Sequence, residues 1–321
     1  MAKSVGRIVV DNFLEIERIN ALAEELDTNT NVMVRATPGI DPHTHRLIRT
    51  GQSDTKFGFN IQDGSAMHAI KIILSSNRMI LRGLHCHVGS QLLDSSAHRQ
   101  AIKIMVRLIQ KVKAETGYHV EDLNIGGGLG IRYLSSIQPP QVSDFIEEIC
   151  TGLRLQLNRA KIDPPRLMIE PGRSIVGEAG TTLYTIGPVK TVPIKEPPGQ
   201  RIYAAIDGGL SDNPRPQMYG SKYECLLANR ANQTSTQKVT IAGKHCETDI
   251  LLHDVMLPTP KSGDILAVQC TGAYNHSMAS NYNRLTRPAV VLVNDGSADI
   301  IYRRETLEDL VRNDVIPARL K

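Results

Sequence analysis

Between Arg7 and about Arg173, short apolar runs alternate with longer stretches in which apolar residues recur at helical spacing. That is the pattern of repeated β-α units feeding a parallel sheet. The predicted strands are Arg7 to Val10, Asn31 to Arg35, Met79 to His85, Asp122 to Ile125 and Arg166 to Ile169, and each ends in a polar or glycine-rich segment. Between them fall helices such as Leu14 to Leu26, with Leu14, Ile19, Leu22 and Leu26 on one side. A second is Arg99 to Glu115, with Ile102, Met105, Val106, Ile109 and Val112 at helical spacing. These stripes read as core-facing surfaces rather than binding features. Five strands do not close a parallel barrel of eight, so the sheet is either open and doubly wound or short of strands.

After Thr181 the long helices stop and β-rich runs take over: Leu183 to Val192, Arg201 to Ile206, Lys238 to Ile241, Asp264 to Gln269 and Ala289 to Val293. The chain therefore divides into an α/β domain over residues 1–180 and an all-β domain over 181–321. Asn294-Asp295-Gly296 between two apolar arms predicts a tight hairpin from Val290 to Arg303, and Pro197-Pro198-Gly199 marks a surface turn. With 321 residues, 41% of them hydrophobic, the chain can bury a sizeable core. Its 37 basic and 33 acidic residues nearly balance and are scattered, which argues against a nucleic-acid partner. The five cysteines, at 86, 150, 225, 246 and 270, form no C-x-x-C pair. They suggest neither a disulfide framework nor a zinc site, and a reducing cytoplasm fits best. No apolar run approaches the roughly 20 residues that span a bilayer, so no membrane partner is expected.

Four constellations could carry chemistry. Gly126-Gly127-Gly128-Leu129-Gly130 directly follows a predicted strand, where bare backbone can wrap a phosphate with its N–H groups. A tight β-to-α turn needing small residues explains an isolated glycine cluster equally well. Glu170-Pro171-Gly172-Arg173-Ser174, again at a strand end, supplies a carboxylate for a protonated ring nitrogen and a guanidinium for phosphate or carboxylate. The bland alternative, a surface ion pair, is weakened because the C-terminal ends of parallel strands are where such folds build active sites. In His85-Cys86-His87-Val88-Gly89-Ser90-Gln91, alternation sends both histidines to one side and Cys86 to the other. Without further ligands a metal site is discounted. A histidine stacked on a flat ring beside Ser90 suits the neighbouring phosphate loop, and His85 reads most simply as a satisfied core residue. The β domain adds Asp207-Gly208-Gly209, Asn213-Pro214-Arg215-Pro216 with Tyr219, Cys246-Glu247-Thr248-Asp249 and Gly272-Ala273-Tyr274. Taken singly each is more often a surface turn; together they offer Arg for a carboxylate and Glu for an amine.

Taken in order, these segments resemble the alanine-racemase-like, fold-type III family of pyridoxal-phosphate-dependent decarboxylases, and within it the diaminopimelate decarboxylases most closely. The resemblance runs from about Val5 through Arg312. It rests on R-x-x-P-G at Arg35 to Gly39, T-G-Q-x-D-x-K-F-G at Thr50 to Gly58, H-C-H-V-G-S-Q, G-G-G-L-G, E-P-G-R-S, D-G-G, R-P-x-x-Y, C-E and G-A-Y. It implies a TIM-type barrel followed by a β-barrel or sandwich domain, a pyridoxal 5'-phosphate cofactor, and a homodimer whose subunits complete each other's sites. By the same resemblance His87 stacks on the pyridine ring and Glu170 pairs with its nitrogen. Ser90, Gly126, Gly127, Gly128, Gly172, Arg173 and Tyr274 hold the cofactor at its phosphate end. Arg173, Arg215, Tyr219, Glu247 and Tyr274 contact an amino-acid substrate, Glu247 at the distal end, and Cys246 returns a proton to carbon. The implied reaction converts meso-2,6-diaminopimelate to L-lysine.

The chain departs from the family in two places. The family's Schiff-base lysine lies in a Tyr-Ala-x-Lys motif on the first barrel strand, and no such motif occurs here. Arg7 to Asp11 resembles the fourth strand, so about five of eight β-α units are expected, in a truncated product inactive by itself. Lys3 precedes that strand, and Lys56 belongs to a motif the family has besides its catalytic lysine. Cys246-Glu247-Thr248-Asp249 is one residue shorter than the family's usual Cys-Glu-Ser-Gly-Asp. Two other functions fit the pattern: a sister decarboxylase acting on ornithine, arginine or carboxynorspermidine, and a silent binding protein that has lost turnover.

Overall fold

The structure is a computed structural model that describes residues 5–40, 55–196 and 198–320. Lys3, the Thr50 to Asp54 part of the T-G-Q motif, and Pro197 lie outside the described residues. The chain forms two compact units, one of Met1–Ile131 with Gln138–Ile175, the other of Arg132–Ile137 with Val176–Lys321.

The first unit runs β1 (Ile8–Val10), α1 (Phe13–Glu25), β2 (Thr30–Thr37), β3 (Phe59–Asn60), α2 (Ser65–Ser75), β4 (Met79–His85), α3 (Ser96–Thr116), β5 (Asp122–Asn124), α4 (Val142–Ala160), β6 (Arg166–Met168) and α5 (Gly172–Val176). Its strands pair in the order β1-β2-β4-β5-β6, every pair parallel, with β3 added beside the end of β2. Neighbours in space are neighbours in sequence. A doubly wound sheet would instead reverse its order at a switch point, so the winding is that of a barrel wall. All five predicted strands are present; two-residue β3 has too little sequence to announce itself.

Apolar periodicity drives the packing. Ile102, Met105, Ile109 and Val112 of α3 are buried as predicted and join Leu84, Leu123 and Ile149 in one core. The stripe predicted for α1 is corrected: Leu14, Leu22 and Leu26 are exposed, while Ile16 and Ala23 are buried and Ile19 packs beside them. Small Ala23 lets that face approach closely, which counting large apolar residues overlooks. At the N-terminal end of β5, the buried carboxylate of Asp122 accepts from Arg7 Nε at 2.5 Å and from Arg166 Nε at 2.8 Å.

The second unit contains β7 (Thr182–Ile194), β8 (Gly199–Ile206), α6 (Arg215–Tyr219), β9 (Cys225–Leu227), β10 (Gln237–Ala242), β11 (Ile250–Leu257), β12 (Ile265–Val268), β13 (Val290–Asn294), β14 (Ser297–Tyr302) and α7 (Leu307–Val311). Six strands form a mixed sheet in the order β11-β10-β8-β7-β12-β9, in which only β8 and β10 run parallel. The predicted hairpin is a separate ribbon, β13 with β14, turned by Asp295 and Gly296 at φ 45° and 77°, the left-handed pair that suits strand twist. Among the described residues, no helix is long and apolar enough to cross a membrane.

Replacing Asp122 with alanine removes the shared acceptor of two guanidinium groups. Both arginines keep access to water, Arg166 being 62% exposed, so the loss stays moderate. Urea unfolding should show a decrease of about 1–3 kcal/mol; an unchanged midpoint would show that the triad contributes nothing.

Candidate active site

Three neighbouring strands of the first unit end side by side and lead into three of the predicted motifs. β4 continues as Cys86-His87-Val88-Gly89-Ser90, β5 as the glycine run, and β6 as Glu170-Pro171-Gly172-Arg173. Hydrogen bonding carries on beyond the strands: Cys86 N–H donates to the Asn124 carbonyl at 2.8 Å, Ile125 N–H to Met168 at 3.1 Å, and Glu170 N–H to Gly126 at 2.9 Å. The loops are therefore drawn too close for side chains. A Cβ on Gly127 would sit 2.1 Å from the Glu170 carbonyl oxygen, and one on Gly128 2.2 Å from that of Gly89. Gly128 also takes a φ of 102°, open to glycine and strained for anything else.

His87 lies half-buried against this turn, and the Gly127 N–H donates to its Nδ1 at 3.2 Å, which places the ring proton on Nε2. Burial, aided by the positive charge of Arg35 and by His85, holds His87 down to about 4, so at neutral pH it is an uncharged flat ring. Glu170 receives Asn124 Nδ2 on Oε1 at 2.9 Å, and His85 Nε2 lies 3.3 Å from the same oxygen. The bond from His85, with that from Asn124, outweighs burial and holds the Glu170 carboxyl down to about 2. Buried Arg173 donates from Nη2 to the Ser90 hydroxyl at 2.9 Å.

The glycine N–H groups are partly spoken for. That of Gly126 donates to Asn124 Oδ1 at 2.8 Å and that of Gly127 to His87. His98, buried on α3, meets the Gly127 carbonyl through Nε2 at 2.9 Å. In this geometry the first two glycines shape the turn, and its packing accounts for them as fully as a ligand would. Gly172 has open space where a Cβ would stand. Cys86 belongs to the core, where burial pushes its thiol up to about 12.

In the second unit, α6 buries Arg215. Its Nε donates to the Tyr223 hydroxyl at 3.1 Å, and its guanidinium lies over the rings of Tyr219 at 5.1 Å and Tyr274 at 5.6 Å. Three residues proposed from scattered motifs thus share one cluster. Tyr274 is held at φ 63°, an unusual conformation for a bulky residue. Cys246 and Glu247 are both exposed, with Cys246 Sγ 3.6 Å from Glu247 Oε2. The Tyr282 hydroxyl donates to Glu247 and keeps that carboxyl below its ordinary range. Asp249 pins this short loop: its carboxylate accepts the Leu210 N–H at 3.1 Å and the His245 N–H at 3.4 Å.

Comparison with known proteins decides the family. Residues 1–177 match the pyridoxal-binding domain of the pyridoxal-dependent decarboxylases. The diaminopimelate decarboxylase of Bacillus subtilis (strain 168) is 45% identical over 97% of this chain and 70% of its own length. The crystal structure of diaminopimelate decarboxylase from M. jannaschii in complex with L-lysine superimposes with a TM-score of 0.90 at 35% identity, covering 99% of this chain and 71% of that one. For the Helicobacter pylori enzyme complexed with L-lysine the TM-score is 0.83 at 28% identity, covering 95% and 72%. The chain belongs to the diaminopimelate decarboxylase family. It is thereby a carboxy-lyase whose cofactor is pyridoxal phosphate. The first unit fits that group: a neutral half-buried imidazole for a ring face, an ionised carboxylate with one oxygen left open, and a buried arginine beside a hydroxyl for a phosphate.

Sequence reasoning did not assign roles to Asn124, His98, Tyr282 or His245. The place of Asn124 at the end of β5, just ahead of the glycine run, was the available signal for it; nothing in the sequence linked Tyr282 to Glu247 across 35 positions.

The His87 shift fixes a pH dependence. Between about 4 and 6.5 the unfolded imidazole binds a proton that the folded one refuses, so the stability due to its burial is complete above 6.5 and is lost as pH falls towards 4. Replacing His87 with phenylalanine should flatten the thermal midpoint across that window relative to the unaltered protein; an identical slope in both would refute the assignment.

Proposed function

We propose that this chain decarboxylates meso-2,6-diaminopimelate to L-lysine, and that the observation carrying the reading is the grouping of Glu170, His87 and the Arg173–Ser90 pair at adjacent strand ends. Bound pyridoxal phosphate supplies an electron sink for the pair released when the α-carboxylate leaves as carbon dioxide. The chain's own residues hold and bias that group. Glu170, ionised at neutral pH, would accept a hydrogen bond from the ring N–H and so keep the nitrogen protonated. Neutral His87 would lie against the ring face. Arg173 and Ser90, with Gly172 leaving room and Gly126, Gly127 and Gly128 shaping the turn, would receive the phosphate, and Tyr274 is assigned to the same group by resemblance.

Arg215, flanked by Tyr219 and Tyr274, offers a partly desolvated guanidinium suited to a substrate carboxylate. Glu247 is assigned to the distal ammonium group. Cys246 is assigned the proton that replaces carbon dioxide on the substrate carbon, and its thiol–carboxylate contact with Glu247 supports that pairing. Among the described residues, no strand of the first unit's sheet carries a lysine, so the reading places the covalent lysine on none of these strands. We also propose a homodimer with shared sites, supported by exposed apolar side chains on the hairpin, among them Val293, Ile300 and Ile301; light scattering at micromolar concentration should then give twice the chain mass, and the mass of a single chain would contradict it.

Equilibrium binding tests the cofactor assignment directly. Pyridoxal phosphate should bind at least about tenfold more tightly than pyridoxal, and an Arg173→Ala variant should lose that preference; equal affinity of the unaltered protein for both ligands would contradict the reading. With cofactor supplied, release of carbon dioxide from meso-diaminopimelate should exceed that from ornithine, arginine or carboxynorspermidine. The opposite ranking would assign the chain to a sister decarboxylase.

A further inference from the structure

Nothing in the motif pattern explains Asn124, yet it is the side chain through which two parts of the first unit's site are joined. Its amide faces two ways: Oδ1 accepts the Gly126 N–H at 2.8 Å and Nδ2 donates to Glu170 Oε1 at 2.9 Å. His85 Nε2 lies 3.3 Å from that same Oε1. Both contacts fall on one carboxylate oxygen, and no hydrogen bond or ion pair among the described residues takes Oε2. A carboxylate gripped on one oxygen cannot rotate without breaking both bonds, so Oε2 is presented in a fixed direction. Asn124 is buried at the end of β5, and His85, the last residue of β4, is buried beside it, so the donors themselves are rigidly placed.

We infer that Asn124 and His85 are positioning residues that aim Glu170 Oε2 at the cofactor ring nitrogen, and that Asn124 couples this aim to the shape of the glycine turn. The inference rests on the reading of Glu170 as the partner of the ring nitrogen. Asparagine is specified because one end must accept and the other donate; aspartate offers acceptors at both ends and adds a like charge beside Glu170. Asn124→Asp therefore keeps the bond to Gly126, removes the bond to Glu170 and places a repelling charge beside that carboxylate.

The test compares affinities for pyridoxal phosphate and for its carbocyclic analogue, in which a C–H replaces the ring nitrogen. The unaltered protein should prefer pyridoxal phosphate by about tenfold, the scale of one charge-assisted hydrogen bond. Asn124→Asp should reduce that preference to near unity while binding the carbocycle almost unchanged. A merely structural role would weaken both ligands alike and preserve the ratio, which would overturn the inference. Should Asn124→Asp fail to fold, His85→Phe removes the other donor without touching the glycine turn; a reduced ratio supports the proposal and an unchanged one overturns it. If the unaltered protein shows no preference, the pairing of Glu170 with the ring nitrogen falls first, and this inference falls with it.

Discussion

The site depends on a backbone constraint: parallel pairing that does not stop where β4, β5 and β6 stop. The bonds from Cys86 to Asn124, from Ile125 to Met168 and from Glu170 to Gly126 extend the ladder into what would otherwise be independent loops. Loops fixed in this way carry side chains with the precision of strands. The cost is steric, and the glycines meet it: Gly127 and Gly128 stand where any Cβ would collide with a neighbouring carbonyl. The G-G-G run is thus first a condition for bringing three loops together and only then a space for a ligand.

On that frame the electrostatics follow from which groups are partnered. Glu170, with Asn124 and His85 on one oxygen, stays ionised despite partial burial. His87, desolvated and near the charge of Arg35, stays neutral. An anion and an uncharged aromatic ring, held side by side at ordinary pH, match a cationic planar heterocycle better than a metal ion, which would call for several anionic or imidazole ligands converging on one point. The same division of labour appears in the second unit, where two tyrosine rings shield Arg215 and Tyr282 steadies Glu247.

Much of this was legible in the sequence because its signals are local. Apolar runs ending in glycine or polar residues marked β2, β4, β5 and β6, and Asp295-Gly296 marked its hairpin. The strands that escaped, β3, β9 and β11, are very short or follow irregular loops, and their pairing comes from partners distant in sequence. The α1 stripe failed for a related reason: Leu14, Leu22 and Leu26 form a larger apolar face, but small Ala23 with Ile16 gives the closer packing. Site residues that bear the chemistry stood in recognisable motifs. Those that orient them did not, because Asn124 acts on Glu170 from 46 positions away and only the parallel register brings them together.

The most direct measurement is a crystal structure of the protein with pyridoxal phosphate bound. The ring nitrogen should lie within hydrogen-bonding distance of Glu170 Oε2, with the ring face on His87 and the phosphate at Arg173 and Ser90. Cofactor density elsewhere, or a ring nitrogen facing away from Glu170, would contradict the account.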